Sequence, residues 1–264
     1  MNILILGDIV GKPGRKGARR IIEHIKELYS VDLIVANGEN AAGGKGITMA
    51  VLDQLVDMGI NVVTMGNHVW AKRDIHYIFN SPKEYKIIRP ANYPEGGTPG
   101  RGHCIVKIGD VDVGVINISG RVFMECLDNP FSVVDREIDC IRDKCNIILV
   151  DFHAEATAEK IAMGWYLDGR VSMVYGTHTH VQTSDERILP GGTGYITDIG
   201  MVGSKDSVLG VKKDIIIEKF KTSLPAKFQL ATGDIIANGI LVEINESNSK
   251  TISIKRINNT FPNE

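Results

Sequence analysis

The sequence has few cysteines, little net charge and no long apolar run. Of its 264 residues four are cysteine, and the formal net charge is −2. The cysteines form no C-x-x-C pair and no zinc-type spacing, so we expect reduced thiols that are buried or partly buried. The small net charge, with no lysine or arginine cluster that stands out, argues against nucleic-acid binding through overall charge.

No segment of the chain approaches about 18 consecutive apolar residues, so no transmembrane helix is predicted. The first residues, MNILILGDIVGKPG, lack a basic region ahead of their apolar run and include Asp8. This start is typical of a core strand and not of a signal peptide, which predicts a cytoplasmic location. The hydrophobic content, 43%, is ample for a substantial core.

An α/β fold is predicted from short β-branched segments that alternate with amphipathic ones. Strands are predicted at 2–6, 32–36, 61–65, 146–150 and 171–175. Helices are predicted at 13–28, 48–58, 72–79, 132–143 and 155–167. Between them, the proline- and glycine-rich region 81–102 is predicted to be a surface excursion, and 103–119 a hairpin that turns at Gly109 and Asp110.

The chain after residue 184 is predicted to be richer in short β segments. One of these is 226–232, and a helix at about 211–220 interrupts the series. No glycine- or proline-rich linker separates two halves, so a single domain over 1–264 is predicted. A parallel βα half joined to a more antiparallel half predicts two sheets packed together, with helices outside.

Polar side chains follow five of the predicted strands at the point where each strand ends. In open α/β sheets, ligands bind beyond the carboxyl ends of the strands. The residues at these ends are Asp8, then Glu39 and Asn40, then Asn67 and His68, then Asp151 and His153, then His178 and His180. Five converging ends that carry carboxylate, amide or imidazole groups predict a metal site.

The mixture of donor types indicates which ions the site would take. Asp, Glu, Asn and His together suit Mn, Fe, Zn or Co, and the lack of cysteine argues against a closed structural zinc site. The donors exceed what one four-coordinate ion needs, so two ions are predicted. Two cations partly neutralised by Asp8 and Glu39 retain positive charge, which fits the hydrolysis of a phosphodiester.

His178 and His180 stand one residue apart in the segment YGTHTHV. On an extended backbone this spacing places both side chains on the same side, where each could reach a different ion of a close pair. Asp151 and Asp198 are further candidates, as residues that orient a ligand or as ordinary polar residues. Trp165 is expected in the core, and Trp70 is either a core residue or a base-stacking one.

Other phosphate-binding motifs fit less well. GDIVGKPGR has one residue too few between its glycines for a P-loop, with Pro13 where serine or threonine is needed. No G-x-G-x-x-G opens the first predicted helix, which disfavours a dinucleotide fold. AAGGKGIT (41–48) is either a tight turn beside Asn40 or a loop whose backbone N–H groups contact a phosphate.

The order GD, GEN, GNH, H and GTHTH resembles the calcineurin-like metallophosphoesterases. The chain is more closely similar to their bacterial YmdB-type subfamily, through LGDIVGKPGR, NGENAAGGKGIT, TMGNHVW, GTHTHVQTSDERILPGGTGYITDIGM and VLGV. The resemblance covers nearly the whole chain. It implies a four-layer α/β/β/α sandwich of two mixed sheets, two iron or manganese ions, and hydrolysis of phosphodiesters, notably 2′,3′-cyclic nucleotides. It is also compatible with a homo-oligomer.

The resemblance assigns a role to each matching residue. Asp8 and His180 would bind one ion, Glu39 would bridge both, and the second ion would be held by Asn67, His153 and His178. His68 would be the general acid that protonates the departing ribose oxygen after attack by metal-activated hydroxide. Val10 and Val69 depart from the broad superfamily, which has histidine and often an acidic residue there, and Glu39 stands where aspartate is usual. Asn40 is the candidate that replaces the lost ligand of the first ion.

Two functions are therefore predicted as alternatives. The first is a cytoplasmic, metal-dependent phosphodiesterase whose substrate is a small cyclic nucleotide or an RNA end. The second is a regulatory or scaffold protein that binds a nucleotide or an RNA-processing partner through a retained metal site.

Overall fold

A computed structural model describes residues 1–94 and 96–263 of the chain. The strands are β1 (Asn2–Leu6), β2 (Asp8–Ile9), β3 (Leu33–Asn37), β4 (Val62–Thr64), β5 (Ile87–Ile88), β6 (His103–Ile108), β7 (Val111–Ser119), β8 (Ile147–His153), β9 (Met173–Thr177), β10 (Arg187–Ile188), β11 (Gly194–Ile196), β12 (Met201–Ser204), β13 (Ile235–Ile244) and β14 (Thr251–Phe261). The α-helices are α1 (Gly11–Leu28), α2 (Met49–Asp57), α3 (Asp74–Ile78), α4 (Pro130–Ile141), α5 (Thr157–Tyr166) and α6 (Lys213–Thr222).

The strands form two mixed sheets. The first has the order β2-β12-β13-β1-β3-β4-β5, with β14 also paired to β13. Its β1, β3, β4 and β5 are parallel to one another, while β13 runs antiparallel to β1. The second sheet has the order β10-β11-β9-β8-β7-β6, with a parallel centre from β7 to β11 and an antiparallel strand at each edge.

The side chains of β1 point alternately to the two faces of the first sheet, so this strand packs against two different layers. Leu4 and Leu6 point to the outer face of the first sheet, where they share an apolar cluster with Ile21 of α1. Ile3 and Ile5 point the other way, into a cluster that lies between the two sheets. Because β1 is buried on both faces, it reads as a continuous apolar run and not as an alternating one.

The second sheet is arranged in the same way. Its inner face contributes Val113 and Val115 to the cluster between the sheets. Its outer face contributes Ile116 to a third cluster, which α4 covers through Val134 and Ile138. Helix, sheet, sheet and helix thus form the predicted four-layer α/β/β/α sandwich.

Several details differ from the sequence-based expectations. Residues 226–232 are not a strand, since they are mostly exposed and form only an isolated bridge at Leu230. β8 continues through Asp151 to His153, two residues that were expected beyond its end. The short strand β2, which begins at Asp8, and β12 were not predicted. The hairpin of β6 and β7 does turn at the predicted residues.

Exposure of some side chains also differs. Trp165 was expected in the core, but it is 50% exposed, and the guanidinium of Arg187 packs over its ring at the surface. Cys126 and Cys140 are exposed as well, whereas Cys145 is buried as expected. Within the described residues, no helix combines the length and the apolar character needed to cross a membrane.

Candidate metal centre

The eight predicted site residues meet at one edge of the sandwich. They are Asp8 at the start of β2, Glu39 and Asn40 after β3, Asn67 and His68 after β4, His153 at the end of β8, and His178 and His180 after β9. The parallel strands of both sheets end at this edge, so both sheets contribute to the cluster.

One group of donor atoms surrounds Nε2 of His153. Oδ1 of Asn67 and Nδ1 of His178 each lie 3.0 Å from it, and Oε2 of Glu39 lies 3.3 Å away. His153 and Glu39 are buried. The ligand atoms of Glu39, His153 and His178 all lie within 4.8 Å of one another. This is the spacing of atoms that share one ion.

A second group surrounds Nε2 of His180. Oδ1 of Asn40 lies 3.3 Å from this nitrogen, and Oδ1 of Asp8 lies 3.7 Å from it. Oδ2 of Asp8 accepts a hydrogen bond from the backbone N–H of His178 at 3.1 Å. Oδ1 is buried and has no hydrogen-bond partner among the described residues, which makes it an orphaned acceptor. His178 and His180 therefore belong to different groups.

The backbone that separates these two histidines is not extended. His178 has φ 95° and His180 has φ 63°, so both lie in the left-handed region, outside β9. The expectation of same-side donors on an extended segment was wrong in its geometry. A tight turn directs the two imidazoles to the two groups, and such a backbone is strained for non-glycine residues.

A buried ion pair holds this turn in place. Oδ2 of Asp198 accepts hydrogen bonds from the backbone N–H and the hydroxyl of Thr179, at 3.2 and 2.6 Å. The same oxygen lies 2.6 Å from Nζ of Lys160, and both charged side chains are buried. Lys160 was not among the residues predicted from the sequence. The feature of the sequence that could have indicated it is a lysine near the start of α5, a helix with an apolar face.

A hydrogen-bond chain orients His153. The hydroxyl of Thr177 donates to Oδ1 of Asp151 at 2.7 Å and lies 2.9 Å from Nδ1 of His153. Since this hydroxyl gives its proton to Asp151, it accepts one from Nδ1, which leaves Nε2 as the ligand atom. Asp151 thus acts on His153 through Thr177, a residue that was not predicted from the sequence.

Glu155 was also missed. Its Oε2 lies 3.1 Å from Nε2 of His178, the nitrogen that faces away from the donor group. A carboxylate in this position favours a proton on Nε2 and leaves Nδ1 as the ligand atom. Its position two residues after His153 was the only signal in the sequence.

His68 contacts the cluster through Nδ1, which lies 3.3 Å from Oε1 of Glu39 and 3.2 Å from Nδ2 of Asn40. No side chain among the described residues hydrogen-bonds to its Nε2. The GNH glycine is required here, because a Cβ on Gly66 would lie 2.2 Å from Nε2 of His153 and 2.3 Å from Oε2 of Glu39. The GNH segment therefore passes directly over the donor cluster.

The electrostatics of the cluster favour a cation. Burial raises the pKa of Asp8 to about 7, and the charge of His153 offsets this only in part because the nearby carboxylates of Glu39 and Asp198 raise it further. Burial alone would lower the pKa of His153, but the charge of Glu39 and its hydrogen bond outweigh it and raise that pKa to about 9. Burial and the charge of His153 lower the pKa of His178 to about 3, so this imidazole is neutral and able to ligate.

These observations test whether the residues fit a metal. Two buried carboxylates, amide oxygens and imidazole nitrogens face one another, and one carboxylate oxygen has no other partner among the described residues. Such donors suit first-row transition ions. The residues present therefore fit metal ions.

Trp70, considered for base stacking, is engaged within the fold. Its ring stacks on His76 with centroids 5.7 Å apart and meets Phe79 and Tyr93 edge-on. The loop beside Asn40 forms a tight turn, in which Gly44 has φ 96° and accepts a hydrogen bond from the Asn40 side chain at 3.0 Å.

Comparison with known proteins adds independent findings. A family model described as "YmdB-like protein" matches residues 4–257. A Bacillus subtilis protein named 2′,3′-cyclic-nucleotide 2′-phosphodiesterase is 46% identical, with 97% of this chain and 96% of that protein covered. A crystal structure of a phosphatase from Mycoplasma pneumoniae has a TM-score of 0.92 and 31% identity, covering 100% of this chain and 94% of the other. The structure of a hypothetical protein from Thermus thermophilus has a TM-score of 0.91 and 36% identity, with 100% of each chain covered.

Proposed function

The chain belongs to the YmdB-like family of metallophosphoesterases, and from that premise we propose that it is a metal-dependent phosphodiesterase acting on 2′,3′-cyclic nucleotides. The relative from Bacillus subtilis is named for this activity, with cleavage of the ester at the 2′ oxygen. The chain's relatives support a phosphoesterase in general, and the substrate class and the two-ion centre are our proposal.

The observation that carries the proposal is the division of the donors into two groups. One group surrounds Nε2 of His153 and the other surrounds Nε2 of His180. In the group around His180, the proposed ligands of one ion are Asp8, Asn40 and His180. In the group around His153, the proposed ligands of the other ion are Asn67, His153 and His178. Glu39, whose Oε2 lies 3.3 Å from Nε2 of His153 and whose charge also acts on His180, is the proposed bridge.

Bound ions, iron or manganese in our proposal, would supply charge that acidifies water and neutralises the developing charge on phosphorus. The chain itself fixes the donors that hold this charge. Thr177 and Glu155 set the tautomers of His153 and His178, so that Nε2 of one and Nδ1 of the other face inward. The fixed orientation means that little reorganisation is needed during the reaction.

His68 is the proposed general acid. Its Nδ1 faces Glu39 and Asn40, which leaves Nε2 for the substrate. A proton on Nε2 would pass to the 2′ oxygen as its bond to phosphorus breaks, leaving a 3′ nucleotide. The side chain is 27% exposed, against 20% for His178 and 10% for His180, so it can meet a ribose at the mouth of the site.

The test is product formation from 2′,3′-cyclic AMP by protein that has been stripped with a chelator and reloaded with Mn²⁺ or Fe²⁺. We expect 3′-AMP as the product, no turnover without metal, and slower turnover of 3′,5′-cyclic AMP. Nucleotide binding without product in every metal-loaded sample would contradict the proposal and would favour the scaffold alternative.

A further inference from the structure

The first half of α1 concentrates positive charge on the surface. Residues 11–20, GKPGRKGARR, contain five lysines or arginines and no acidic residue. These residues do not form a continuous basic run in the sequence, because glycine, proline and alanine separate them. The small net charge of the whole chain does not indicate this cluster either, because acidic residues elsewhere balance it.

Helical geometry aligns these residues. Lys12, Lys16 and Arg19 are all exposed, and their spacing of four and then three residues places them on one face of α1. Lys12 and Arg19 are about 10.5 Å apart along the helix axis, at 1.5 Å per residue. A stacked nucleic-acid strand carries one phosphate per about 3.4 Å. The basic face therefore matches about three nucleotide steps.

The basic face begins beside the candidate metal centre. The backbone N–H of Gly11, the first residue of α1, donates to the carbonyl of Asn40 at 2.9 Å. One turn further along, the guanidinium of Arg15 donates to the carbonyl of Ala41. Lys45, on the glycine-rich loop that follows, is exposed. Basic side chains on α1 and on the glycine-rich loop thus lie next to the segment that carries Asn40, a proposed metal ligand.

We propose that this basic face binds the phosphates of a single-stranded RNA whose 2′,3′-cyclic phosphate end occupies the metal centre. The inference rests on the proposed function, because only ribose can form that end. The chain then acts on oligonucleotide ends in preference to free cyclic mononucleotides. Lys12 and Arg19 contact phosphates on the 5′ side of the terminal nucleotide.

The character of the face separates RNA from other anionic partners. Helices that bind a membrane surface need exposed apolar residues beside their cations. Residues 11–20 expose no large hydrophobic side chain, and the only apolar residues among them besides glycine are Pro13 and Ala18, of which Ala18 is buried. Charge alone, at helical spacing and adjacent to a phosphoesterase site, fits a phosphate backbone.

The test compares a cyclic mononucleotide with a short oligoribonucleotide that ends in a 2′,3′-cyclic phosphate. We expect a higher kcat/KM for the oligonucleotide and a decrease of roughly tenfold in the double variant Lys12→Gln/Arg19→Gln, since two surface phosphate contacts have about that combined effect. The kcat/KM for the mononucleotide should not change.

The slope of log affinity against log salt should become shallower by about 1.4, at about 0.7 per contact for single strands.

The matched control is Lys107→Gln/Lys144→Gln, which removes the same charge at exposed positions on the second sheet and after α4. It should change neither substrate. Equal kcat/KM for both substrates, or equal effects of the two double variants, would overturn the inference. So would binding of phosphatidylglycerol vesicles without binding of RNA. Failure to hydrolyse the mononucleotide would instead contradict the proposed function. The affinity for the oligonucleotide would then still test the contribution of the basic face to RNA binding.

Discussion

His68 differs from the other predicted site residues in how it meets the cluster. Its backbone N–H donates to Oε2 of Glu39 at 3.1 Å, so the main chain is anchored to a proposed ligand. Its ring touches Glu39 and Asn40 through Nδ1 alone. A residue held in this way can lose its imidazole without displacing the donors beneath it.

We therefore expect His68→Ala to retain its metal content and to lose about 10²- to 10⁴-fold in kcat for cyclic nucleotides, the usual contribution of a general acid. The loss should be much smaller for bis-p-nitrophenyl phosphate, whose leaving group needs no proton. Steady-state kinetics with both substrates and elemental analysis of the same preparation measure this. His24→Ala, far along α1, serves as the control. Metal loss, or equal losses with both substrates, would remove His68 from this role.

Among the structural elements, the turn after β9 has a strained, left-handed backbone that neighbouring elements must stabilise. Thr179 is held on Asp198, and Asp198 is paired with Lys160 of α5. Burial of both charges means that removing one leaves the other without compensation. Removal of one partner therefore costs more stability than the intact pair contributes.

We expect Lys160→Met to lower the free energy of unfolding by about 3–5 kcal/mol, because Asp198 would remain buried without its counter-charge. Urea denaturation monitored by circular dichroism measures this. Lys221→Met is the control, since Lys221 and Glu218 form an exposed pair on α6. It should leave the denaturation midpoint unchanged. A loss for Lys160→Met no larger than that of the control would show that water or a neighbouring group replaces the lysine.

At the scale of the whole molecule, the donor cluster connects the two sheets. Asp8, Glu39 and Asn67 come from the first sheet, and His153 and His178 come from the second. An ion bound by both sets would stabilise the packing of one sheet against the other. Its binding free energy would then appear as stability of the folded state.

We expect Mn²⁺ at about 100 times its dissociation constant to add about 2.7 kcal/mol of stability. For a protein of this size this raises the Tm by about 5–10 °C relative to chelator-treated protein. Scanning fluorimetry across a metal titration measures the shift without relying on activity. Glu39→Gln should bind both ions more weakly and show a smaller shift. An unchanged Tm in the wild-type protein, or a full shift in Glu39→Gln, would contradict the proposed bridge.

Sequence patterns alone predict the sandwich class and the edge at which polar residues collect. These follow from short-range patterns, because strand periodicity decides burial and the carboxyl ends of parallel strands share an edge. The eight predicted site residues were selected in this way, with the family resemblance supplying their proposed roles.

The division of the donors into two groups could be seen only in the folded protein. His178 and His180 part because of left-handed backbone and a carboxylate from Asp198, and His153 is oriented by Asp151 through Thr177. The basic face of α1 likewise became visible only once the helix aligned its charges beside Asn40. Local sequence encodes periodicity and residue type, but distances between segments far apart in the chain depend on how the two sheets pack.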